Sequence, residues 1–294
     1  MRIVVAGSSG FVGRRLCPAL VEAGHDVVAM TRRPERYDGA GRAVGADVHD
    51  AASLEAALAG ADVAYYLVHS LDDPQFRRKD AEGATTFAKA AGNQGLRRIV
   101  YLGGLGDDAD NLSSHLRSRR EVEHLLGTGG VPVTTLRAGI IVGHGGISWE
   151  MTRQLVEHLP AMITPRWVRT RTQPVALADV IRYLVGVLAV PVEGSVAFDI
   201  GGPDVLAYID MMRVVARIEG RTMIVVPVPL LTPSLSSRWL SLVTSVDVQT
   251  GRNLVDSMSN EVVVRDDSIR RLVPFEPMDY VESVLRALGE RARA

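Results

Sequence analysis

Residues 2–13 constrain the fold more than any other part of this chain. Residues 3–6 form an unbroken apolar run, as expected of a short strand that is buried on both faces. An apolar periodicity typical of a helix starts at Phe11, and three glycines spaced three residues apart lie around that point. The segment therefore predicts a strand that turns tightly into a helix.

The three glycines fit a phosphate-binding turn. Gly7 permits the tight turn, Gly10 lets the backbone come close to a pyrophosphate, and Gly13 lets the helix pack against the strand. The unpaired N–H groups at the start of the helix would then contact the phosphates. The spacing is G-x-x-G-x-x-G rather than the commoner G-x-G-x-x-G, and an ordinary turn without a ligand is the alternative. The predicted cofactor-binding residues of this segment are Gly7, Ser8, Ser9, Gly10, Phe11, Val12 and Gly13.

Composition narrows the class of protein. The 294 residues are 47% hydrophobic, enough for one large core or a core with a smaller lobe, and the net charge of −1 gives no field that attracts nucleic acid. Cys17 is the single cysteine and falls in the first helical pattern, so we expect a buried packing residue and neither a disulfide nor a cysteine metal site.

The sequence also predicts no targeting signal. Met1 leads directly into the first predicted strand, which leaves no room for a signal peptide and predicts a cytoplasmic protein. Residues 223–248 are the most apolar later stretch, but prolines and Arg238 interrupt it, so we expect no membrane span. Peripheral contact with a membrane stays open, as do the role of this stretch and the oligomeric state.

Strand and helix patterns alternate along the first half of the chain, which predicts an α/β protein with a Rossmann doubly wound parallel sheet. After residue 139 the alternation loosens. We therefore predict a dinucleotide-binding core over residues 1–139 and a smaller C-terminal α/β substrate lobe over residues 140–294, with residues 173–200 returning to the core. The later predicted strands cover residues 26–30, 43–48, 61–68, 98–103 and 132–138, and the predicted helices lie near residues 51–59, 75–94, 114–127, 148–158, 178–190 and 207–219.

The end of the second predicted strand bears on the choice of cofactor. Enzymes that use NAD place an acidic residue about 20 residues beyond the glycines to hold the ribose 2′-hydroxyl. This chain instead has Arg32 and Arg33, whose guanidinium groups can bind a 2′-phosphate, and no carboxylate stands beside them in the sequence. We therefore predict NADP as the cofactor, with NAD as the alternative and a solvated basic loop as the interpretation without a ligand.

Further segments resemble one family. The order of motifs is similar to that of the extended and atypical short-chain dehydrogenase/reductases, and within them to NAD(P)H-binding proteins related to the nitrogen-repression regulator and to the nucleotide-binding accessory subunit of respiratory complex I. The segments that carry the resemblance are the glycine turn, Gly45-Ala-Asp47-Val48, Val63-Ala-Tyr-Tyr-Leu67-Val68-His69, Arg98-Ile-Val-Tyr101-Leu-Gly103-Gly104, Leu136-Arg137-Ala-Gly139-Ile-Ile-Val-Gly143, Gln173-Pro-Val-Ala-Leu-Ala-Asp179-Val180 and Phe198-Asp-Ile-Gly201-Gly202-Pro203.

The resemblance implies further cofactor-binding residues. Asp47 and Val48 would flank the adenine, and Leu67, Val68 and His69 would line the nicotinamide ribose. Without the resemblance, Asp47 is an ordinary turn residue after a strand, and His69 is a loop residue.

The chain departs from the family at the catalytic helix. Active members carry Tyr-x-x-x-Lys there, with a serine near the end of the fifth strand, whereas this chain has His115 and Arg119 at the same spacing and Gly103-Gly104 in place of the serine. Arg119 can bind a ribose but stays protonated, whereas an unperturbed histidine titrates near pH ~6.5. We predict His115 and Arg119 as candidate catalytic residues, with exposed polar residues on a basic helix as the alternative.

Other patterns are weaker. Ser113 and Ser114 form no nucleophile elbow, and no pair of histidines or carboxylates has metal-binding spacing. Several residues of the second half could line a pocket for an anionic or flat aromatic substrate, although packing and solvated faces explain them more simply. These residues are Trp149, Arg153, Pro165, Arg166, Trp167 and Arg171.

Two classes of function remain. The first is an NADP-dependent oxidoreductase that acts on an unidentified small carbonyl, quinone or sugar-like substrate, with His115 as proton donor. The second is a non-catalytic regulator or assembly factor that senses NADP(H). The missing Tyr-x-x-x-Lys pair favours the second class, and the predicted substrate lobe favours the first.

Overall fold

A computed structural model describes residues 1–107, 109–158, 161–164, 166–191, 193–227 and 248–293. It contains a central parallel sheet with helices on both faces, followed by a lobe of helices and short strand pairs. The strands are β1 Arg2–Ala6, β2 Asp26–Thr31, β3 Arg42–Gly45, β4 Val63–Tyr66, β5 Arg98–Gly104, β6 Val133–Ala138, β7 Ile141–Val142, β8 Ala161–Thr164, β9 Arg171–Thr172, β10 Val175–Ala176, β11 Val196–Ile200, β12 Leu206–Ala207 and β13 Ile224–Pro227. The helices are α1 Gly13–Glu22, α2 Ala51–Leu58, α3 Phe76–Asn93, α4 Ser114–Leu126, α5 Ile147–His158, α6 Leu177–Gly186, α7 Tyr208–Ile218, α8 Val248–Ser257, α9 Ile269–Leu272 and α10 Tyr280–Arg291.

The main sheet has seven strands in the order β11-β6-β5-β4-β1-β2-β3, and every pair in it is parallel. This confirms the predicted Rossmann α/β class. The strand order reverses at β1, because β2 lies on one side of β1 and β4 on the other. Ligands of such sheets bind beyond the carboxyl ends of the strands at this reversal.

Two apolar layers bury the sheet. One face packs against α2 and α3 through residues such as Leu54, Phe87 and Ala91, and the other packs against α1 and α6 through residues such as Leu16 and Val180. Strands covered on both faces are apolar throughout, which explains the run at residues 3–6. Cys17 is completely buried in α1, as predicted from its position.

A separate apolar cluster holds the second half together. It joins α5, α7 and α10 around the buried side chains of Trp149, Met211 and Val284. The small strand pairs β7–β10, β9–β12 and β8–β13 lie outside the main sheet. Strand β11, by contrast, pairs with β6 and is part of the main sheet.

The described helices offer no candidate for a membrane span, since none of them is both long and apolar enough. Most of the apolar stretch at residues 223–248 lies outside the described residues. Its predicted loop and amphipathic helix therefore stay predictions.

Candidate functional site

The glycine turn forms between β1 and α1. Gly7 has a φ of +88°, a conformation that favours glycine, and a Cβ atom at this position would lie 3.0 Å from the carbonyl oxygen of Leu67. At Gly13 a Cβ atom would lie only 2.3 Å from the carbonyl oxygen of Gly7. Both positions therefore need glycine for packing, as the sequence analysis predicted for the turn and for the start of the helix.

Gly10 differs from its two neighbours. A Cβ atom there would meet a single atom within 4 Å, the carbonyl oxygen of Gly7 at 3.2 Å, and Gly10 itself is exposed. No side chain caps the start of α1, and its first turn contains no acidic residue. The exposed face of the turn thus presents a helix N-terminus, which favours a negatively charged ligand.

The remaining turn residues anchor this segment. Ser8 is completely buried, and its hydroxyl donates to the carbonyl oxygen of Met30 at 2.9 Å. Ser9 is exposed, and the hydroxyl of Thr31 lies 3.5 Å from the Ser9 hydroxyl. Phe11 packs against the loop before α5, where a Cβ atom at Gly146 would lie 2.6 Å from its ring. The turn is therefore tied both to β2 and to the second half of the chain.

Arg32 and Arg33 lie directly after β2, and both are exposed. The N–H of Arg33 donates to the Thr31 hydroxyl at 3.3 Å, and within the described residues neither guanidinium group forms an ion pair. They are available to a ligand phosphate at the end of β2.

Asp47 lies within electrostatic range of Arg32. Burial raises the pKa of this carboxyl group, but hydrogen bonds from His49 and the nearby charges of His49 and Arg32 outweigh burial, so the net pKa is lowered. An ionised carboxylate is thus closer to Arg32 than the sequence order suggested, because the end of β3 lies beside the end of β2.

The segment after β3 has a fixed geometry. The Asp47 carboxylate accepts the N–H of His49 at 2.9 Å, and the Asp47 N–H donates to the Ser53 hydroxyl at 3.2 Å. Val48 is buried against α3, where a Cβ atom at Gly83 would lie 3.0 Å from its methyl group. Asp47 and Val48 thus lie together at the carboxyl edge of the sheet.

Leu67, Val68 and His69 leave the sheet at the end of β4. The N–H of Leu67 donates to the carbonyl oxygen of Ala6 at 3.0 Å, so this segment lies against the glycine turn. Leu67 and Val68 are half-buried, and His69 is exposed. The structure therefore brings the glycine turn, the arginines, Asp47 and the segment 67–69 to one edge of the sheet, around the reversal of strand order.

Helix α4 forms the next wall. Ser113 caps it, because its hydroxyl accepts the N–H of Leu116 at 3.2 Å. At Gly104 a Cβ atom would lie 2.9 Å from a Leu116 methyl group and 3.2 Å from the Arg119 side chain. The space of a serine side chain is thus filled by α4, which explains why glycine occupies this position.

Arg119 points into the protein and not into open solvent. Its guanidinium group forms an ion pair with Asp80 of α3, and the two residues are 6% and 4% exposed. Burial lowers the pKa of Arg119, but Tyr101, Asp80 and Tyr66 outweigh burial and raise it overall. Its Nε atom is buried and has no hydrogen-bond partner within the described residues. Arg119 is therefore a permanent charge that Asp80 already compensates.

His115 lies one turn before Arg119 on the same face of α4. Burial, the charge of Arg119 and the neighbouring His69 lower the pKa of His115 to about 3. Its Nδ1 atom is buried and unpartnered among the described residues. The ring is therefore neutral near pH 7 and can give or accept a hydrogen bond, whereas its imidazolium form is not populated.

These features fit a dinucleotide. The turn leaves space above the α1 N-terminus at Gly10, and the wall beyond His69 holds two orphaned polar atoms, His115 Nδ1 and Arg119 Nε. Buried polar atoms normally have partners, so these two atoms are candidates for contact with a polar ligand group. No cluster of three or more metal-binding side chains exists in the described part of the chain.

The substrate-side residues of the sequence analysis are mostly packing residues. Trp149 is 1% exposed in the core, and Arg153 is buried between Glu150 and Glu157. Arg171 is exposed and pairs with Glu261 at 2.9 Å, and the Trp167 ring packs edge-on against Tyr208. Pro165 and the side chain of Arg166 lie outside the described residues. The contacts given for these side chains are thus core packing and ion pairs.

Two features of this region were not predicted from the sequence. Asp80 is the buried partner of Arg119, and in the sequence only its helical spacing indicates an inward position. A 630 Å³ groove also lies between the start of α3 and α8, with Ser114 of α4 at its wall. Its cationic lining residues are Arg77, Arg78 and Arg252, of which the first two belong to a visible run of basic residues.

Comparisons with known proteins agree with this geometry. Residues 7–165 match the model of the NAD(P)H-binding family, which covers more than half of the chain. A solved NADPH-dependent quinone oxidoreductase from Escherichia coli, in complex with NADPH, superposes with a TM-score of 0.80 at 19% identity over 98% of this chain and 100% of that one.

Sequence relatives include reductases. An uncharacterised protein of Mycobacterium tuberculosis is 30% identical over 248 residues, or 83% of this chain, but this chain spans only 26% of its length. The (4-alkanoyl-5-oxo-2,5-dihydrofuran-3-yl)methyl phosphate reductase of Streptomyces griseus is 28% identical over 232 residues, or 74% of each protein. The chain therefore belongs to the NAD(P)H-binding family.

Proposed function

We propose that this chain is an NADP(H)-dependent oxidoreductase that reduces a small carbonyl or quinone substrate. The observation that carries the proposal is the convergence of Gly7–Gly13, Arg32, Asp47 and residues 67–69 on the carboxyl edge where the strand order reverses. Bound NADPH would supply a hydride from its nicotinamide ring.

The preference for NADP(H) rests on Arg32 and Arg33. Both are exposed at the end of β2, and guanidinium groups bind phosphate through paired, charge-assisted hydrogen bonds. Asp47 reduces the local positive potential near Arg32 but is held by His49 and Ser53. Arg33 is exposed and forms no ion pair within the described residues, so its charge is available to a 2′-phosphate.

On the substrate side, the neutral His115 ring would donate a hydrogen bond to the carbonyl oxygen as negative charge develops there. A neutral imidazole can polarise a carbonyl without first being protonated. Hydride adds to the carbonyl carbon, and the resulting alkoxide takes its proton from water, because the imidazolium form of His115 is not available at neutral pH. The reductase from Streptomyces griseus and the quinone oxidoreductase support acceptors with a polarised carbonyl group.

A second function is favoured by one specific observation. The Tyr-x-x-x-Lys pair is replaced by His115 and a fully compensated Arg119, and neither of these two side chains titrates near neutral pH. A non-catalytic NADP(H) sensor or assembly factor, as in proteins related to the nitrogen-repression regulator or the accessory subunit of complex I, would need no side chain that titrates in that range.

A turnover screen tests the proposal. NADPH consumption would be followed with a panel of aldehydes, ketones and quinones, using the wild type, His115→Ala and the matched control His124→Ala, which changes an exposed histidine of the same helix. We expect turnover that His115→Ala lowers and His124→Ala leaves unchanged. Equal activity in all three proteins would remove His115 from the mechanism. Tight NADPH binding without turnover in any of them would favour the sensor.

A further inference from the structure

The Asp80 carboxylate connects two walls of the candidate site. Its Oδ1 atom accepts the backbone N–H of Ser70 at 2.8 Å, directly after residues 67–69. Its Oδ2 atom accepts a hydrogen bond from the Arg119 guanidinium group, and the Ser118 hydroxyl lies 3.5 Å away. One side chain of α3 therefore holds both the loop after β4 and the inner face of α4.

Burial makes this arrangement rigid. The side chains of Asp80 and Arg119 are 2% and 8% exposed, so water cannot replace either partner without opening the protein. A buried charge whose partner is removed is strongly unfavourable, whereas exposed ion pairs contribute little. The hydrogen bonds of Asp80 to Ser70 and Arg119 are the route by which it can act on the site.

We propose that Asp80 is a positioning residue of this site, which fixes the loop 67–70 and the His115–Arg119 face of α4 relative to each other. Arg119 is held with its guanidinium group on Asp80 and its Nε atom free of partners, next to the orphaned Nδ1 atom of His115. The ion pair with Asp80 thus fixes where the Arg119 side chain lies on the same helix face as His115. This inference rests on the proposed function, since the polar ligand group at these two side chains would be the ribose or substrate oxygen at the nicotinamide end.

Several titratable groups surround these residues. Asp80 interacts with Arg119 of α4, with His69 and with the phenol groups of Tyr66 and Tyr101 from β4 and β5. His115 interacts with Arg119 and His69. The further charges near this group are those of Asp72, Glu123 and Arg120. Replacing Arg119 by a neutral side chain therefore removes the main positive charge next to His115.

The first test measures NADPH affinity of the full chain by fluorescence titration. Asp80→Asn removes the charge and keeps the shape, and the matched control Asp210→Asn breaks an exposed Asp–Arg pair on α7. We expect Asp80→Asn to weaken NADPH binding at least about tenfold and Asp210→Asn to leave it within about twofold. Wild-type affinity in a folded Asp80→Asn protein would overturn the proposal.

A second variant covers the case in which Asp80→Asn does not fold. Asp80→Asn combined with Arg119→Gln removes both buried charges together and should restore folding, because no charge is left unpaired. A purely structural pair predicts normal NADPH affinity in this folded double variant, and that result would also overturn the proposal. A positioning role predicts a folded protein that binds NADPH more weakly than Arg119→Gln alone, because the Ser70 N–H has also lost its charged acceptor.

A third measurement uses no nucleotide and no turnover. The ring of His115 is titrated by NMR in the wild type, in Arg119→Gln and in Arg119→Lys. Loss of the charge should raise the pKa of His115 above about 3, while burial, the larger cause, still holds it below its usual value of about 6.5, and Arg119→Lys should keep it low. An unchanged titration in Arg119→Gln would show that Arg119 is not held beside His115, and the inference would fail even if the chain reduces carbonyls.

Discussion

Replacing Gly10 by valine should abolish nucleotide binding and leave the fold intact, whereas replacing Gly13 by alanine should damage the fold itself. The two glycines lie in the same turn, but the structure gives them opposite surroundings. A Cβ atom at Gly10 has one neighbour within 4 Å, at 3.2 Å, and the space beyond it is open. A Cβ atom at Gly13 would have three backbone neighbours between 2.3 and 2.9 Å.

The magnitudes follow from these distances. Overpacking costs about 1–3 kcal/mol, and we place Gly10→Val near 1 and Gly13→Ala near or above 3, because backbone atoms must move for the latter. At about 2 °C per kcal/mol, the expected losses in melting temperature are about 2 °C and about 6 °C. For binding, loss of two charge-assisted hydrogen bonds to the pyrophosphate, at about 1.5–3 kcal/mol each, weakens NADPH binding at least ~100-fold in Gly10→Val.

Circular dichroism melts and an NADPH titration measure the two effects separately. Gly10→Ala serves as a graded control, with the same Cβ atom and no branching. Near-normal NADPH affinity in a folded Gly10→Val protein would refute a phosphate site at this turn. A Gly13→Ala protein as stable as Gly10→Val would refute the packing explanation of the glycine spacing.

Four further predictions concern α4 and its surroundings. Arg119→Ala should weaken NADPH binding by ~1.5–3 kcal/mol, the range for a hydrogen bond to a charged group, whereas the exposed Arg213→Ala should not, as calorimetry would show. Because the pKa of His115 in the folded protein is about 3, the reductive rate should stay constant between pH 5 and 8. An unperturbed histidine would instead make the rate fall as the pH rises through about 6.5, and such a step in the rate profile would contradict this prediction. The pKa of His115 is lower in the folded protein than in the unfolded chain, so the unfolded chain binds this proton more readily. The stability due to neutral His115 is therefore fully present above pH ~6.5 and is lost as the pH falls toward 3. Melting curves of His115→Gln at acid pH should lack this loss of stability. Gly104→Ser should lower the melting temperature without raising activity, because its Cβ atom would lie 2.9 Å from Leu116; a stable or more active Gly104→Ser protein would contradict the filled space.

The sheet was predictable from sequence because its strands carry a strong local signal. Apolar runs buried on both faces mark β1, β4 and β5, and glycines mark the ends of β1 and β5. The predicted strand at residues 61–68 proved too long, since the structure ends β4 at Tyr66. Leu67 still bonds to β1, but Ser70 bonds to Asp80 instead of a strand, so the chain leaves the sheet while it remains apolar.

The grouping of the glycine turn, Arg32, Asp47 and residues 67–69 at one edge of the sheet was also predictable, because the strands of a parallel sheet end on the same side. The charge states of His115 and Arg119 on α4 were not predictable, since they depend on contacts between residues that are distant in the sequence. Asp80 and Arg119 are far apart in the sequence, and nothing local to either indicates that the arginine is buried and compensated. The lowered pKa of His115 follows mainly from its burial in the same wall. The pKa of about 6.5 for an unperturbed histidine does not include this effect.

Calorimetric titration of the wild type with NADPH and with NADH, beside Arg32→Asp, tests the central claim most directly. Charge-assisted hydrogen bonds from Arg32 and Arg33 to a 2′-phosphate are worth about 1.5–3 kcal/mol, which predicts roughly 10- to 150-fold tighter binding of NADPH. Arg32→Asp should shift the preference toward NADH by introducing a carboxylate where the ribose 2′-hydroxyl would lie. Equal or inverted affinities in the wild type would contradict the NADP(H) assignment, and no binding of either nucleotide would contradict the site itself.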